Sequence, residues 1–286
     1  MPLSDGLRLR IADAYDLSRI AELRESVGWG VHRWALDAVL EPPRARTVVA
    51  VDEYERVVGV GSGIVYGPLG FVGNMVVDAD HRRRGIGAAV LQAVIEFLEG
   101  RGVVRLELYA TSDGRPLYER HGFTSAGPSL VAGVPRGSLP GVAGGSVHEA
   151  ASEDMPDLAA YDAPRFGGDR STLLRRMLDD PDRPVLVARA RDRIIGYGWL
   201  RPDGERLGPL VADTPDIAIG LMVEAFRRMP SAERLSLNLP AANRAGADRL
   251  AKLGAELEPW DGRMARGPQV PRRDETIYGN LVGALG

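Results

Sequence analysis

A short polar turn between an apolar strand and an apolar helix carries the residues with the clearest chemistry. The turn runs Asp78-Ala79-Asp80-His81-Arg82-Arg83-Arg84 and leads into Gly85-Ile86-Gly87. A helix N-terminus exposes backbone N–H groups that lack a partner within the helix, and it carries partial positive charge, so it stabilises a docked anion. Glycine allows close approach to the backbone, and three guanidinium groups add charge. The stretch 82–87 therefore predicts a site for a phosphate or pyrophosphate group.

Other phosphate-binding turns fit this stretch less well. A mononucleotide-binding loop requires Gly-Lys-Ser or Gly-Lys-Thr after the glycines, and a dinucleotide-binding turn requires a third glycine where Val90 stands. Two glycines alone are equally consistent with a turn that only needs their backbone freedom. The phosphate interpretation therefore rests on the turn together with the strand before it and the helix after it.

The elements around the turn follow from the hydrophobic pattern. Residues 70–77 are apolar enough for a strand buried on both faces, and 88–98 carry apolar residues at helical spacing. A preceding helix, 31–40, is predicted to end at Pro42-Pro43, because paired prolines cannot continue it. The other predicted elements of the first half are strands at 7–11, 47–51, 56–66 and 103–109, and helices from Asp16 through 23 and through Tyr118 to Gly122.

The composition is globular and excludes several classes of function. With 286 residues the chain is long enough for two medium cores, and two domains are the better expectation. A net charge of -3 provides no global field to attract nucleic acid or an anionic membrane. The chain has no cysteine and only four scattered histidines, which argues against thiolate catalysis and a metal site. Without a leader segment or a membrane-spanning apolar run, we expect a cytoplasmic protein.

The second half repeats the first in weaker form. One short match between two halves is expected by chance, but three matches in the same order indicate a duplicated domain. Residues 55–61, 73–78 and 105–108 are echoed by 192–198, 208–213 and 234–237.

A stretch rich in glycine and proline separates the two copies. Residues 133–146 show no periodicity, which is typical of a linker. We therefore predict a first domain at 1–137, a linker at 138–146 and a second domain at 147–286.

Three segments of the first half form one family pattern. Residues 73–91 combine a strand, an Arg-x-x-Gly-x-Gly turn and a helix, and they are followed by the strand 106–110 and by Leu117-Tyr118-Glu119-Arg120-His121-Gly122-Phe123. Together they resemble the GNAT superfamily of acyl-CoA-dependent N-acetyltransferases, and the second half resembles the degenerate partner domain of tandem GNAT proteins. The resemblance implies an α/β (α+β) fold with two GNAT-like domains, each a mixed, splayed β-sheet flanked by helices.

The same resemblance implies where acetyl-CoA binds as co-substrate. The backbone of Met75, Val76 and Val77 is expected to pair with the pantetheine arm like an added strand, while a free N–H at the splay holds the acetyl carbonyl. Many members have an asparagine in the loop after the fifth strand, where this chain has Thr111-Ser112-Asp113, so a hydrogen bond to the pantetheine is expected from Ser112 or Asp113. The pyrophosphate is expected on the turn residues Arg82, Arg83, Arg84, Gly85, Ile86, Gly87 and Ala88.

Tyr118 and Asn74 are the catalytic residues that the resemblance implies. Tyr118 stands where the family often places a phenol beside the thioester sulfur, and it is expected to protonate the departing thiolate. A helix aromatic that only packs is the structural alternative. No carboxylate occupies the fourth-strand position of the catalytic glutamate of other members, so we expect deprotonation through ordered water, with Asn74 as a ligand for water or substrate.

The acceptor side of the site is less well defined. Trp29, His32 and Trp34 lie in the segment that lines the acceptor in the family, although tryptophans at this spacing are equally consistent with core packing. We expect acetyl transfer to a primary amine, on a small molecule or a peptide, by direct attack in a ternary complex. The alternative is a non-catalytic acyl-CoA sensor. Nucleic acid, membrane and metal are not expected as partners, and the protein is expected to be a monomer or homodimer.

Overall fold

Two groups of elements pack separately in this protein. Its structure, a computed structural model, describes residues 6–30, 33–140, 146–201, 205–281 and 285. Unit 1 comprises Met1–Thr124, Met264–Gln269 and Gly283–Gly286, and unit 2 comprises Ser125–Arg263 and Val270–Val282. No helix in the described ranges is long and apolar enough to span a membrane.

The described ranges hold fifteen strands and eight α-helices. The strands are β1 (Arg8–Ile11), β2 (Ala45–Val51), β3 (Val57–Tyr66), β4 (Leu69–Val77), β5 (Arg105–Tyr109), β6 (Thr124–Ser125), β7 (Ser129–Pro135), β8 (Val147–Glu149), β9 (Val185–Ala190), β10 (Arg193–Leu200), β11 (Leu207–Ala212), β12 (Arg234–Pro240), β13 (Glu256–Trp260), β14 (Arg263–Arg266) and β15 (Ile277–Gly279). The helices are α1 (Leu17–Glu25), α2 (Arg33–Val39), α3 (Ile86–Glu99), α4 (Arg115–Arg120), α5 (Met155–Phe166), α6 (Ser171–Leu178), α7 (Pro215–Arg228) and α8 (Arg244–Lys252).

Unit 1 is built on a seven-stranded sheet in the order β1-β2-β3-β4-β5-β14-β6. Strands β1 to β4 pair antiparallel, whereas β4 and β5 pair in parallel, so the sheet is mixed as expected. Helix α3 buries a continuous stripe, including Val90, Val94 and Leu98, in the core on one face of this sheet. Residues of α1 and α2, including Ile20 and Leu36, pack in the core on the other face. The predicted helix stop before Pro42-Pro43 is confirmed, since α2 ends at Val39.

The sheet of unit 1 splays apart between β4 and β5. These strands pair only over Leu69–Phe71 and Arg105–Glu107, and the later residues of β4 have no strand partner on that edge within the described chain. The pairing of β4 with β3 shifts register where Asn74 takes a positive φ of 54°. A residue inserted into one strand in this way forms a β-bulge, which redirects side chains next to it. The splay that the resemblance implies is therefore present.

Unit 2 has the corresponding elements in two sheets. One sheet has the order β15-β11-β10-β9-β8 and the other has the order β12-β7-β13. Strands β9, β10 and β11 pair antiparallel as β2, β3 and β4 do. Among the described residues of unit 2, one parallel bridge, between Arg206 and Ser236, stands where unit 1 has its parallel pairing. The duplication predicted from the repeats and the mixed, splayed fold implied by the resemblance are thus confirmed.

Each unit contains one strand from the other half of the sequence. Strand β7 lies in the sheet of unit 2, between β12 and β13, and β14 lies in the sheet of unit 1, between β5 and β6. The compact units divide the chain at Thr124 and Ser125 and include segments from both halves of the sequence. The domain bounds 1–137 and 147–286 stay a prediction.

The start of the predicted irregular stretch 133–146 was wrong, because 133–135 belong to β7. Gly133 pairs with Ser236 and Glu256, and a Cβ at Gly133 would overlap the guanidinium group of Arg234. Gly133 therefore lies in a paired strand beside the Arg234 side chain and not in a flexible connection.

Candidate active site

The predicted phosphate turn has the backbone geometry of an anion site. Asp78 caps the first part of the turn by accepting a hydrogen bond from the Asp80 N–H at 3.1 Å. Gly85 is left-handed, with φ 79°, and directly precedes α3. It offers no side chain to cap the first N–H groups of the helix, and a Cβ placed on it would meet no atom within 4 Å. The first turn of α3 therefore presents its amides beside open space, as an anion site requires.

The three arginines of the turn differ in their exposure. Arg82 and Arg83 are exposed, and Arg82 Nε donates a hydrogen bond to the carbonyl oxygen of Val77 at 3.2 Å. Arg83 has a positive φ of 62°, so two residues of this turn adopt left-handed backbone. Arg84 is half-buried. Two exposed guanidinium groups are thus available next to the open helix end.

Asp78 anchors the turn to α1. Its carboxylate accepts a hydrogen bond from Arg19, whose Nε also donates to the carbonyl oxygen of Val57 at 3.1 Å. Partial burial alone would raise the pKa of Asp78, but the hydrogen bond from the Asp80 N–H, the nearby His81 and the charge of Arg19 lower it. The carboxylate therefore stays charged at neutral pH and fixes the start of the turn.

The free edge of β4 leads directly to this turn. Met75 and Val77 pack in the core beside α3, while Val76 packs in the core beside α1, so the backbone between them faces the splay. Gly87, in the first turn of α3, lies close to Val77 and Leu117, since a Cβ on it would be 3.6 and 3.4 Å from their side chains. Ile86 is buried in the same core, and Ala88 is half-buried. The structure therefore brings β4, the turn and α4 together.

Tyr118 lies on the buried side of α4. Its ring packs edge-to-face against Phe123, with centroids 6.0 Å apart, and 7% of the residue is exposed. The hydroxyl group hydrogen-bonds none of the described residues and is not fully enclosed. Burial raises the pKa of Tyr118 to about 12, so the phenol remains protonated at neutral pH. Packing and proton donation are therefore compatible at this position.

The other predicted binding residues are Ser112, Trp29, Trp34 and His32. Ser112 is exposed in the segment between β5 and α4, with no side-chain hydrogen bond among the described residues. Trp29 is half-buried and packs against the core beside α1, and Trp34 is half-buried on α2. His32 lies outside the described residues.

Asn74 is tied into a buried polar network. Its Oδ1 accepts a hydrogen bond from Arg24, and its Nδ2 donates to Ser62 Oγ at 3.2 Å. Ser62 in turn lies 2.8 Å from Thr47 Oγ1, which donates to the carbonyl oxygen of Val39 at 2.9 Å. Because only 3% of Asn74 is exposed, this geometry favours a positioning role over direct contact with substrate.

Arg24 is a site residue that sequence reasoning missed. It is 8% exposed, and its Nη2 donates to the carbonyl oxygen of Gly30 at 3.0 Å. Its Nε has no hydrogen-bond partner, and no described carboxylate contacts the guanidinium. A signal was present, since Arg24 follows Leu17 and Ile20 on the buried stripe of α1, where an apolar residue is expected. Burial lowers the pKa of Arg24.

The position of Arg24 near the end of α1 does not offset its burial. A cation at a helix C-terminus gains about 0.3–1 kcal/mol from the helix dipole. Removal of an ion from water has an effective penalty of several kcal/mol, about 3 or more. The hydrogen bonds to Asn74 and Gly30 use neutral acceptors. The guanidinium of Arg24 is therefore an incompletely compensated buried charge.

Unit 2 lacks the equivalent of the phosphate turn. Asp78 and Asp213 are 135 residues apart, but the first residues of α3 and α7, Ile86 and Pro215, are only 129 apart, so the connection from Asp213 to its helix is six residues shorter. The Thr214 hydroxyl accepts a hydrogen bond from the Ile217 N–H at 3.4 Å and caps α7.

A buried leucine, Leu250, stands where an alignment of Gly122 with Gly254 places the counterpart of Tyr118. Both the anion site and the phenol are thus absent from the described part of unit 2.

Unit 1 has a mixed sheet that splays next to an uncapped helix preceded by glycine, and unit 2 repeats this sheet. Together these features define an acyltransferase of the GNAT type. The model described as "Acetyltransferase (GNAT) family" matches residues 12–123, and the one described as "Acetyltransferase (GNAT) domain" matches 158–279. The chain belongs to the GNAT superfamily and carries two GNAT domains.

Individual relatives agree with this assignment. The chain is 26% identical over 230 residues to the "Uncharacterized N-acetyltransferase YitH" of Bacillus subtilis (strain 168). The matched region covers 78% of each protein. It is 29% identical over 168 residues to the mycothiol acetyltransferase of Clavibacter sepedonicus, covering 51% of this chain and 54% of that one. A crystal structure from Pyrococcus horikoshii shares the fold with a TM-score of 0.81 at 21% identity, over 98% of this chain and 96% of that one.

Proposed function

We propose that unit 1 transfers an acetyl group from acetyl-CoA to a primary amine in a ternary complex. In this reaction the amine nitrogen bonds to the acetyl carbon and the carbon–sulfur bond breaks. The amine loses one proton and the departing thiolate gains one. One observation carries the proposal: the free edge of β4 ends at the uncapped N-terminus of α3.

The residues of this region fit coenzyme A. The N–H groups at the start of α3 and the exposed Arg82 and Arg83 would hold the pyrophosphate, because guanidinium and amide donors match phosphate oxygens. The backbone of Met75, Val76 and Val77 would bind the pantetheine arm as an added strand. Ile86, Gly87 and Ala88 belong to the first turn of α3, whereas Arg84 and Ser112 have the weakest structural support among the proposed contacts. When bound, acetyl-CoA supplies the acetyl group as an activated thioester.

The chain's own groups would manage charge and protons. A backbone N–H of the β4 edge would stabilise the negative charge that develops on the acetyl oxygen. Tyr118 would donate its proton to the leaving sulfur, since its raised pKa keeps the phenol protonated at neutral pH. The described residues offer no carboxylate in contact with Asn74, so the proton of the amine would leave through water. Asn74 itself would position Arg24 and the bulge.

The acceptor would approach from the side of α1. The bulge places Asn74 against α1, and Trp29 lies on this face of the sheet with the Arg24 guanidinium 5.9 Å from its ring centroid. Coenzyme A would occupy the splay between β4 and β5. The two substrates would then meet at the centre of β4 and could be bound at the same time, which direct transfer requires.

Release of free thiol from acetyl-CoA tests this function. The purified chain is incubated with acetyl-CoA and a library of primary amines, and the thiol is measured colorimetrically. We expect release that depends on an amine and yields the N-acetyl product by mass spectrometry. A protein that only senses acyl-CoA would bind it and release no thiol with any amine, and that result would contradict the proposal.

A further inference from the structure

The most unusual charge in unit 1 is the guanidinium group of Arg24. Among the other buried arginines, Arg201 of unit 2 donates to the carbonyl oxygen of Leu281 and has further interactions. Arg105, Arg170 and Arg263 are similarly buried, and each hydrogen-bonds a carboxylate. In contrast to these three, Arg24 contacts only an amide oxygen and a backbone carbonyl. A buried ion is stable when it is paired, so this arrangement lacks an anion. We infer that Arg24 binds a carboxylate group of the acceptor, so that the acceptor is an amino acid or another amine that carries an acid.

This inference rests on the proposed acetyl transfer and specifies its substrate class. The guanidinium has five N–H donors, of which Asn74 and Gly30 each take one. The Nε–H and one hydrogen on each terminal nitrogen remain for a ligand, and Nε has no partner among the described residues. This set of donors suits two carboxylate oxygens side by side.

The position of Arg24 relates the anion to the reacting centre. One side of its guanidinium contacts Asn74, at the bulge of β4, and the other contacts the carbonyl of exposed Gly30. The Trp29 ring lies next to the same group. A carboxylate that enters past residues 29–30 would therefore bind on the α1 side of β4, with its amine directed to the bulge.

The second copy supports this interpretation by contrast. Helices α1 and α5 begin 138 residues apart, at Leu17 and Met155, which places Asp162 opposite Arg24. In unit 2, Asp162 forms a two-pronged pair with Arg170, at 2.8 and 2.9 Å. Unit 2 thus neutralises its buried charge internally. Unit 1, which keeps the phosphate turn, leaves a cation at the same place on the helix.

The test compares acceptors that differ only in the acid group. Acetyl-CoA-dependent thiol release is measured for β-alanine against β-alaninamide, for 4-aminobutyrate against its amide, and for L-phenylalanine against its amide. A charged hydrogen bond corresponds to a preference of roughly 10- to 100-fold in kcat/KM. We expect this preference in the wild-type protein for at least one pair, and its loss in Arg24→Gln. The acid and the amide of a pair differ in the pKa of their amine. The effect of this difference cancels when the acid-to-amide ratio of kcat/KM is compared between the wild-type protein and Arg24→Gln.

A matched control and a binding assay complete the experiment. Arg33→Gln removes an exposed charge from α2 and should leave the preference unchanged. Calorimetry with 3-phenylpropanoate and 3-phenylpropanamide, in the presence of coenzyme A, measures carboxylate binding without turnover. Carboxylate binding that needs Arg24, in a protein that acetylates no amine, would support this inference while refuting the proposed function.

Several results would overturn the inference. One is equal turnover and equal binding of acid and amide by the wild-type protein. Another is a preference that survives in Arg24→Gln, because a different cation then binds the acid. A third is an equal loss for both members of every pair, which would mean that Arg24 only supports the site. If Arg24→Gln does not fold, the inference is tested by the comparison of acid and amide acceptors in the wild-type protein and in Arg24→Lys. Lysine keeps the charge but not the two-pronged geometry.

Discussion

Replacement of Gly85 by aspartate tests the phosphate site with a small change. A Cβ at Gly85 meets no atom within 4 Å, so the side chain fits sterically. Its φ of 79° is left-handed, and a residue with a Cβ loses about 1–2 kcal/mol of stability there. The new carboxylate would accept hydrogen bonds from the first amides of α3 and would occupy the place of the phosphate. We therefore expect a folded protein that binds coenzyme A weakly.

The size of this effect follows from the charges. At about 5 Å, two like unit charges repel by roughly 1–3 kcal/mol for effective dielectric constants between 80 and 20. Repulsion alone therefore weakens coenzyme A binding by roughly 5- to 100-fold, and competition for the amides adds to this. Isothermal titration calorimetry measures the affinity, and thermal unfolding measures the stability.

Gly67→Asp is the matched control. Gly67 also has a left-handed φ, 74°, and open space at its Cβ, but it lies between β3 and β4 at the other end of β4 from the turn. Both variants carry the same left-handed backbone strain, and only Gly85→Asp should lose affinity. If both bind coenzyme A as tightly as the wild-type protein does, the phosphate assignment is wrong.

Three further predictions concern the phenol, the tyrosines and the second unit. Tyr118→Phe should lower kcat by roughly 10- to 100-fold without abolishing turnover, because a thiol with a pKa near about 8.5 leaves with little help; an unchanged kcat would assign Tyr118 to packing alone. Burial raises the pKa of Tyr118 to about 12 and that of Tyr197 well above its usual value, so above about pH 10 the unfolded chain loses protons that the folded chain keeps. The free energy of unfolding should then fall by about 1.4 kcal/mol per pH unit for each of these two tyrosines. Equal free energies of unfolding by urea at pH 9 and pH 11 would contradict this prediction. Titration of the intact protein should give one coenzyme A per chain, because Thr214 caps α7 in unit 2; a stoichiometry of two would show that unit 2 binds as well.

Much of the fold follows from local sequence patterns. The apolar stripe of α3 and the β-branched runs of β2 and β4 specify their own element types, and the repeat of short segments indicated the duplication. The exchange of β7 and β14 could not be predicted in this way. The choice of sheet depends on pairings between residues more than 100 positions apart, such as Ser129 with Pro240.

The candidate site was predictable in its backbone but not in its buried charges. The turn before α3 carries a sequence signature, since glycine permits the left-handed conformation seen at Gly85. The partners of Asn74, Arg24 and Ser62, lie on two separate elements, α1 and β3, which no local pattern relates. The sequence signal for the buried charge is the position of Arg24 on the otherwise apolar stripe of α1.

The exchanged strands also determine when the protein can finish folding. In the sheet of unit 1, β14 lies between β5 and β6, yet it leaves the ribosome about 140 residues after β6. At the usual speed of translation this delay is roughly 10–30 s. The first half therefore waits with an incomplete sheet edge until almost the whole chain has been made. Premature termination before residue 263 leaves unit 1 without one of its strands, and a gene fragment that ends at 137 encodes no complete GNAT sheet.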